Sequence, residues 1–227
     1  ELGKIKEYLT KWLYDELYLT VDQEKTLLID LNQEKTKYLG FTIFRKKKRI
    51  FRQRSTVELI IGIDHERVKN RLEAGRIINQ EHEPRSNLIY IQLQPHEIVT
   101  KYRQRVEELF NYYYTALTYP TELNFYYYAY KFSCLKTLAR RMKKSIIQIT
   151  LTYGEDIRIE TEMERKEAYY PLYKEITATN KNRKEEILMN IYQRMKRLKT
   201  ESFVQPLTAE EVITYHWAHD DLFSLSI

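Results

Sequence analysis

The stretch from about Leu123 to Ile149 constrains the fold most, because its apolar residues recur at the three-and-four spacing of a long amphipathic helix. Within it Leu135, Leu138, Ala139, Met142 and Ile146 form one stripe, while Lys136, Arg140, Lys143 and Lys144 fall on another side. The bases from Lys131 to Lys144, which also include Arg141, have no acidic residue among them. A helix so divided packs along one face and presents cations along the other. Such a face favours nucleic acid, since each cation that meets a phosphate releases condensed counterions. The charge balance alone is less telling: 38 Lys and Arg stand against 32 Asp and Glu, a net charge of +6. Clustering is what gives that excess meaning.

The pattern on either side is also mostly helical. Residues 4–19 place Ile5, Tyr8, Leu9, Trp12, Leu13 and Leu17 on one stripe, which predicts a first helix. Leu27 to Leu31 and Lys37 to Phe44 read as a β-hairpin turning at Asn32 to Thr36, with the basic run Arg45 to Arg49 at its exit. The polar segment Arg52 to Thr56 then sets a boundary near residue 55. Further helices are predicted near Glu66 to Leu72, from His96 to Thr115 and from Leu123 to Ile149, punctuated by Pro84, Pro95 and Pro120. A polar segment begins at Glu155. It is followed by a helix near Arg183 to Leu198, carrying Ile187, Leu188, Ile191, Met195 and Leu198 on one face, and by a last helix from Thr208, where Glu211 completes a capping box.

Several chemistries find no support. One cysteine, Cys134, excludes an intrachain disulfide and a multi-cysteine zinc site, and reads as a small packed residue. Gly40, Gly62, Gly75 and Gly154 are isolated, so no phosphate-binding glycine loop is present. His216, His219, Asp220 and Asp221 read as the polar end of a helix rather than a metal site. No apolar run approaches the ~20 residues of a membrane span. No cofactor is expected.

Aromatic residues crowd around the basic stripe: Phe110, Tyr112, Tyr113, Tyr114, Tyr119, Phe125 to Tyr128, Tyr130 and Phe132. Rings of this kind stack on unpaired bases when exposed, and most of them are expected inside the core at this spacing.

Two sets of motifs carry a family resemblance. Val21 to Thr26, reading VDQEKT, and Tyr38 to Phe41, reading YLGF, resemble the late palm motifs of group II intron reverse transcriptases. Phe110 to Tyr114, then Ser133 to Ala139, then Tyr153 and Gly154, resemble the thumb or maturase domain X of the same proteins, with its Asn-Tyr-Tyr, Ser-x-x-x-Thr-Leu-Ala and Tyr-Gly signature. The resemblance covers roughly residues 1–154. It implies a mostly α chain with a small N-terminal α+β piece: a palm remnant over 1–55, a thumb or domain X bundle over 56–154, and a helical extension of unknown role over 155–227.

The function implied is binding and stabilising a structured RNA, chiefly a group II intron during splicing, with the RNA itself as catalyst. Carried over by position, and joined by neighbouring bases, the expected RNA contacts are Lys101, Arg103, Asn111, Tyr112, Tyr113, Lys131, Ser133, Lys136, Thr137, Arg140, Arg141, Lys143 and Lys144. The polymerase Tyr-x-Asp-Asp motif is absent, as are the paired cysteines of the family's endonuclease, so no enzymatic activity is expected. Two other readings fit the same residues: a structural subunit clamping ribosomal RNA in an organellar ribosome, and one piece of a split reverse transcriptase with a protein partner. An opening at Glu1, with neither Met nor leader, fits a longer or processed product. The Tyr, Ile, Lys and Asn richness points to an organelle, the mitochondrial matrix first.

Overall fold

The computed structural model describes residues 2–22, 26–50, 54–160 and 167–200. Two compact units, Glu1–Ile60 and Ile61–Ile227, divide the chain. The described part is mostly helical with a small sheet near its N-terminus, as the sequence predicts, and no described helix is long and apolar enough to cross a membrane.

In the first unit, helix α1 spans Leu2–Leu17. It stops where Tyr18 turns left-handed at φ 54°. The Tyr18 and Leu19 amides then donate to the Tyr14 and Leu13 carbonyls, the paired closure with which many helices end, here without the usual glycine. Strand β1, Thr36–Tyr38, pairs antiparallel with β2, Phe41–Ile50. Tyr38 faces Phe41 across a two-residue turn in which Leu39 and Gly40 both have positive φ, 49° and 90°, as a tight hairpin requires.

The hairpin therefore lies later than predicted. Leu27 to Leu31 is not a strand, and Asp30 instead folds the chain back: its carboxylate accepts from the Asn32 amide and its carbonyl from Gln33 and Glu34. Nor does the basic run Arg45 to Arg49 leave the hairpin. It lies within β2, where three successive exposed residues, Arg45, Lys46 and Lys47, show that both faces of the strand meet solvent. A third strand, β3 at Arg54–Ile63, completes the order β1-β2-β3 and runs through the predicted boundary.

Within the second unit, the last residues of β3 are held by polar contacts. Ile61 and Thr118 exchange two hydrogen bonds, the Ile61 amide donating to Thr118 Oγ1 at 2.9 Å and the Thr118 amide to the Ile61 carbonyl at 3.0 Å. The Ile63 amide donates to Glu122 Oε2 at 2.9 Å. Gly62 between them keeps this approach close, since a Cβ would stand 3.2 Å from that carboxylate and push it back by a few tenths of an ångström.

Helix α2, His65–Ala74, follows Asp64 as its N-cap. Helix α3, Pro95–Tyr113, starts with proline at its first position and a Gln94–Glu97 capping box. Helix α4, Asn124–Met142, packs along α3 and forms the core with it. Ile98, Val99, Tyr102, Val106 and Phe110 of α3 meet Tyr126, Tyr127, Tyr130, Cys134 and Leu138 of α4, all buried. Burying side chains of this size contributes about 1.5–3 kcal/mol each.

The predicted helix to Ile149 breaks in two. Lys143 adopts the left-handed conformation at φ 53°, and a capping box between Ser145 and Gln148 starts α5, Ile146–Tyr153. The predicted polar segment after Glu155 holds a short pair of strands, β4 at Ile159–Glu160 and β5 at Glu167–Ala168. Helix α6, Tyr173–Thr200, begins ten residues before the predicted one at Arg183. Its first turns are held by aromatic contact: Tyr173 sits edge-on to Phe110 and Tyr127, and Ile176 and Asn180 are buried. Ile187, Leu188, Ile191 and Met195 are half-buried. The Leu198 side chain, the helix predicted from Thr208, and His216, His219, Asp220 and Asp221 lie outside the described residues.

Candidate nucleic-acid interface

Helix α4 sorts the expected RNA contacts into two groups. The buried group is built from small hydroxyls. Ser133 Oγ donates to the Arg85 carbonyl at 2.6 Å, and Thr137 Oγ1 donates to the Ser133 carbonyl while accepting from the Asn87 amide at 2.9 Å. The Tyr102 hydroxyl lies 2.8 Å from Ser133 Oγ and 3.0 Å from Thr137 Oγ1. Lys136 Nζ donates to the Pro84 carbonyl at 2.7 Å, and Arg141 Nε to the Leu93 carbonyl at 3.1 Å. Four residues of one helix thus hold the loop from Pro84 to Leu93.

Ser133 and Thr137 are consequently not surface contacts. A buried hydroxyl must find a partner, and here the partners are loop backbone and a phenol. Tyr113 is also inside, edge-on to Tyr112 at 4.8 Å between ring centres. Arg103 has local partners: its Nε donates to Glu107 Oε1 at 2.7 Å, and its guanidinium lies 4.0 Å over the Tyr169 ring. Lys131 and Lys136 are half-buried.

The exposed group is the end of the helix. Arg140, Arg141, Lys143 and Lys144 lie in solvent at the bend between α4 and α5. They gather where the backbone carbonyls of α4 end, the negative pole of the helix, which stabilises cations there. The left-handed Lys143 turns the chain through that bend. Lys101, Asn111 and Tyr112 are exposed along α3.

The aromatic residues divide in the same way. Phe110, Tyr113, Tyr114, Tyr126, Tyr127 and Tyr130 are buried, whereas Tyr112, Tyr119, Phe125, Tyr128 and Phe132 remain exposed. Tyr127 and Tyr170 interlock, Tyr127 donating to the Pro171 carbonyl and Tyr170 to the Tyr127 carbonyl, both at 3.0 Å. Burial pushes the phenols of Tyr102, Tyr126, Tyr127 and Tyr170 well above the usual tyrosine range, and that of Tyr130 up to about 12. Cys134 is fully buried, and burial likewise pushes its thiol up. A neutral, packed thiol is a poor nucleophile.

Sequence reasoning passed over Arg67 and Arg71 of α2 and Arg105 of α3, all exposed. The signal was available, since Arg67 and Arg71, and Lys101 and Arg105, stand four apart on their helices.

The group II intron-encoded protein LtrA of Lactococcus lactis subsp. cremoris is 27% identical over 155 residues, which take in 63% of this chain and 25% of that protein. The LtrA of strain MG1363 matches to the same extent. The chain thus spans about a quarter of the length of the curated relatives it matches. A family model for the type II intron maturase matches residues 56–210, well over half of the sequence, including every helix from α2 to α6. The bundle that carries the hydroxyl clamp and the basic bend is the matched part, and the chain belongs to the type II intron maturase family.

Proposed function

We propose that this chain binds group II intron RNA through the basic bend, contacting the phosphate backbone with Arg140, Arg141, Lys143 and Lys144 and with the exposed Lys101 of α3, and so stabilises the folded intron for splicing. One observation carries the reading: four exposed cations are grouped at a helix end whose own sequence, from Asn124 to Ser145, contains no acidic residue. Family membership supports intron RNA as the ligand. We assign no chemical step to the chain, because the Tyr-x-Asp-Asp motif does not occur in its sequence.

Replacing Arg140, Arg141, Lys143 and Lys144 together by Gln leaves the helix content unchanged and weakens RNA binding. The slope of log affinity against log salt flattens by about 0.7–0.9 for each phosphate that is no longer neutralised. An unchanged slope would remove this surface from the interface. Crosslinking the native protein to RNA and sequencing the attached fragments then identifies the ligand: intron domains are expected, and ribosomal RNA alone would overturn the splicing role.

A further inference from the structure

A second feature of the matched bundle lies away from the basic bend. Between α2 and α3, with Tyr130 of α4 also lining it, is a cleft of about 200 Å³. Its floor is apolar and aromatic: Val68, Leu72, Tyr113 and Tyr130 are all buried. Its rim is polar. Arg71 of α2 and Arg105 of α3 both line it, and Tyr112, also lining it, is 51% exposed. Both guanidiniums lie near enough to the Tyr130 phenol to oppose the upward push that burial exerts on it. Glu108 is the one carboxylate lining the cleft, and it sits 3.8 Å from Arg105. No carboxylate among the described residues forms an ion pair with Arg71.

An apolar slot suits a flat ring, an aromatic edge offers a stacking face, and two guanidiniums suit the phosphates flanking that ring. A base pair is too large for the slot, and a single peptide side chain does not combine a flat ring with anions on both sides of it. We infer that the α2–α3 cleft receives one unstacked nucleotide of the bound RNA, with its base against Tyr112 over the apolar floor and its flanking phosphates on Arg71 and Arg105. This rests on the RNA-binding reading above and narrows the ligand to an RNA that offers a bulged or looped-out base. Recognition of that kind is how proteins commonly read RNA, because the deep groove of an RNA helix excludes side chains.

The test uses the full chain and two short RNA hairpins. One carries a single bulged 2-aminopurine, and the other carries the same base paired. The protein binds the bulged hairpin about tenfold or more tightly over the paired one, in keeping with the strength of one base–aromatic stack, and the probe's emission changes only in the bulged case. Tyr112→Leu and the pair Arg71→Gln with Arg105→Gln abolish that preference, whereas Tyr112→Phe keeps it. These side chains are exposed, and the thermal melt of each variant checks the fold. Should the hairpins bind equally and the cleft variants behave as wild type while the fourfold Gln variant at the basic bend is weakened, the cleft is overturned and the RNA-binding reading stands. Loss of the bulge preference on cleft substitution, with the bend variant unaffected, supports the cleft and moves the phosphate contacts off the bend. If the wild type binds neither hairpin, both ideas fail.

Discussion

Helices α1 and α4 carry stripes of similar apolar content and meet different fates. On α1, Ile5, Tyr8, Leu9 and Trp12 stay between 43% and 69% exposed. On α4, Tyr126, Tyr127, Tyr130, Cys134 and Leu138 are sealed against α3 and the aromatic residues at the start of α6. Periodicity states that a face is fit to be covered. It does not state what covers it, and that depends on whether the chain brings a complementary face to it. For α4 it does so twice, from α3 and from the residues around Tyr170 and Tyr173.

The largest difference should come from truncating one aromatic residue of the α3–α4 core and one of the α1 stripe. Phe110 is fully buried and touches Tyr114, Tyr127 and Tyr173, so Phe110→Ala should lower stability by about 3–5 kcal/mol. Trp12→Ala should cost within about 1 kcal/mol. Urea unfolding of the full chain compares them. Equal losses would mean that the α1 stripe is covered after all.

Alkali sharpens the contrast next. The buried tyrosines of the bundle have phenols pushed upward, Tyr130 to about 12. In the unfolded chain the same groups ionise near pH 10. A folded-state value above the unfolded one gives stability that is complete below about pH 10 and is lost as pH rises toward the folded value, at about 1.4 kcal/mol for each unit of difference. The urea midpoint should therefore fall above about pH 10, with tyrosinate absorbance growing in step with unfolding. Tyrosinate forming ahead of unfolding would show that the rings are reached by water.

Ser133→Ala has a smaller effect, about 1–3 kcal/mol, because it orphans the Arg85 carbonyl and removes a partner of Tyr102. At temperatures far below the melt it should leave RNA affinity unchanged. A fall in affinity without a fall in stability would return Ser133 to the RNA-binding surface.

Much of this was readable beforehand. The helices over α2, α3 and α4 follow from periodicity and proline punctuation, and the basic cluster was legible because cations that close together cannot all be buried. What escaped depends on partners far along the chain. Strand β3 ends on Thr118 and Glu122, 57 and 59 residues away from the amides that they bind. Ser133 and Thr137 were expected to contact RNA from the family resemblance, and their burial was hidden because Arg85, Asn87 and Tyr102 are invisible from their own neighbourhood. The break at Lys143 was a different kind of miss: the Ser145–Gln148 capping box was present in the sequence, and the apolar stripe running past it masked the signal.

The hydroxyl clamp has a consequence for motion. Ser133 Oγ donates to the Arg85 carbonyl and Thr137 Oγ1 to the Ser133 carbonyl, which leaves the single phenolic hydrogen of Tyr102 to be shared by the two hydroxyl oxygens beside it. The hydroxyls, the phenol and the loop backbone are thereby linked, and no one bond can be lost without disturbing the next. A loop held in this way opens as one cooperative unit. The Asn87 amide, donating into the cluster, should exchange with solvent at the slow rate of the α3–α4 core and not at the fast rate of an ordinary surface loop.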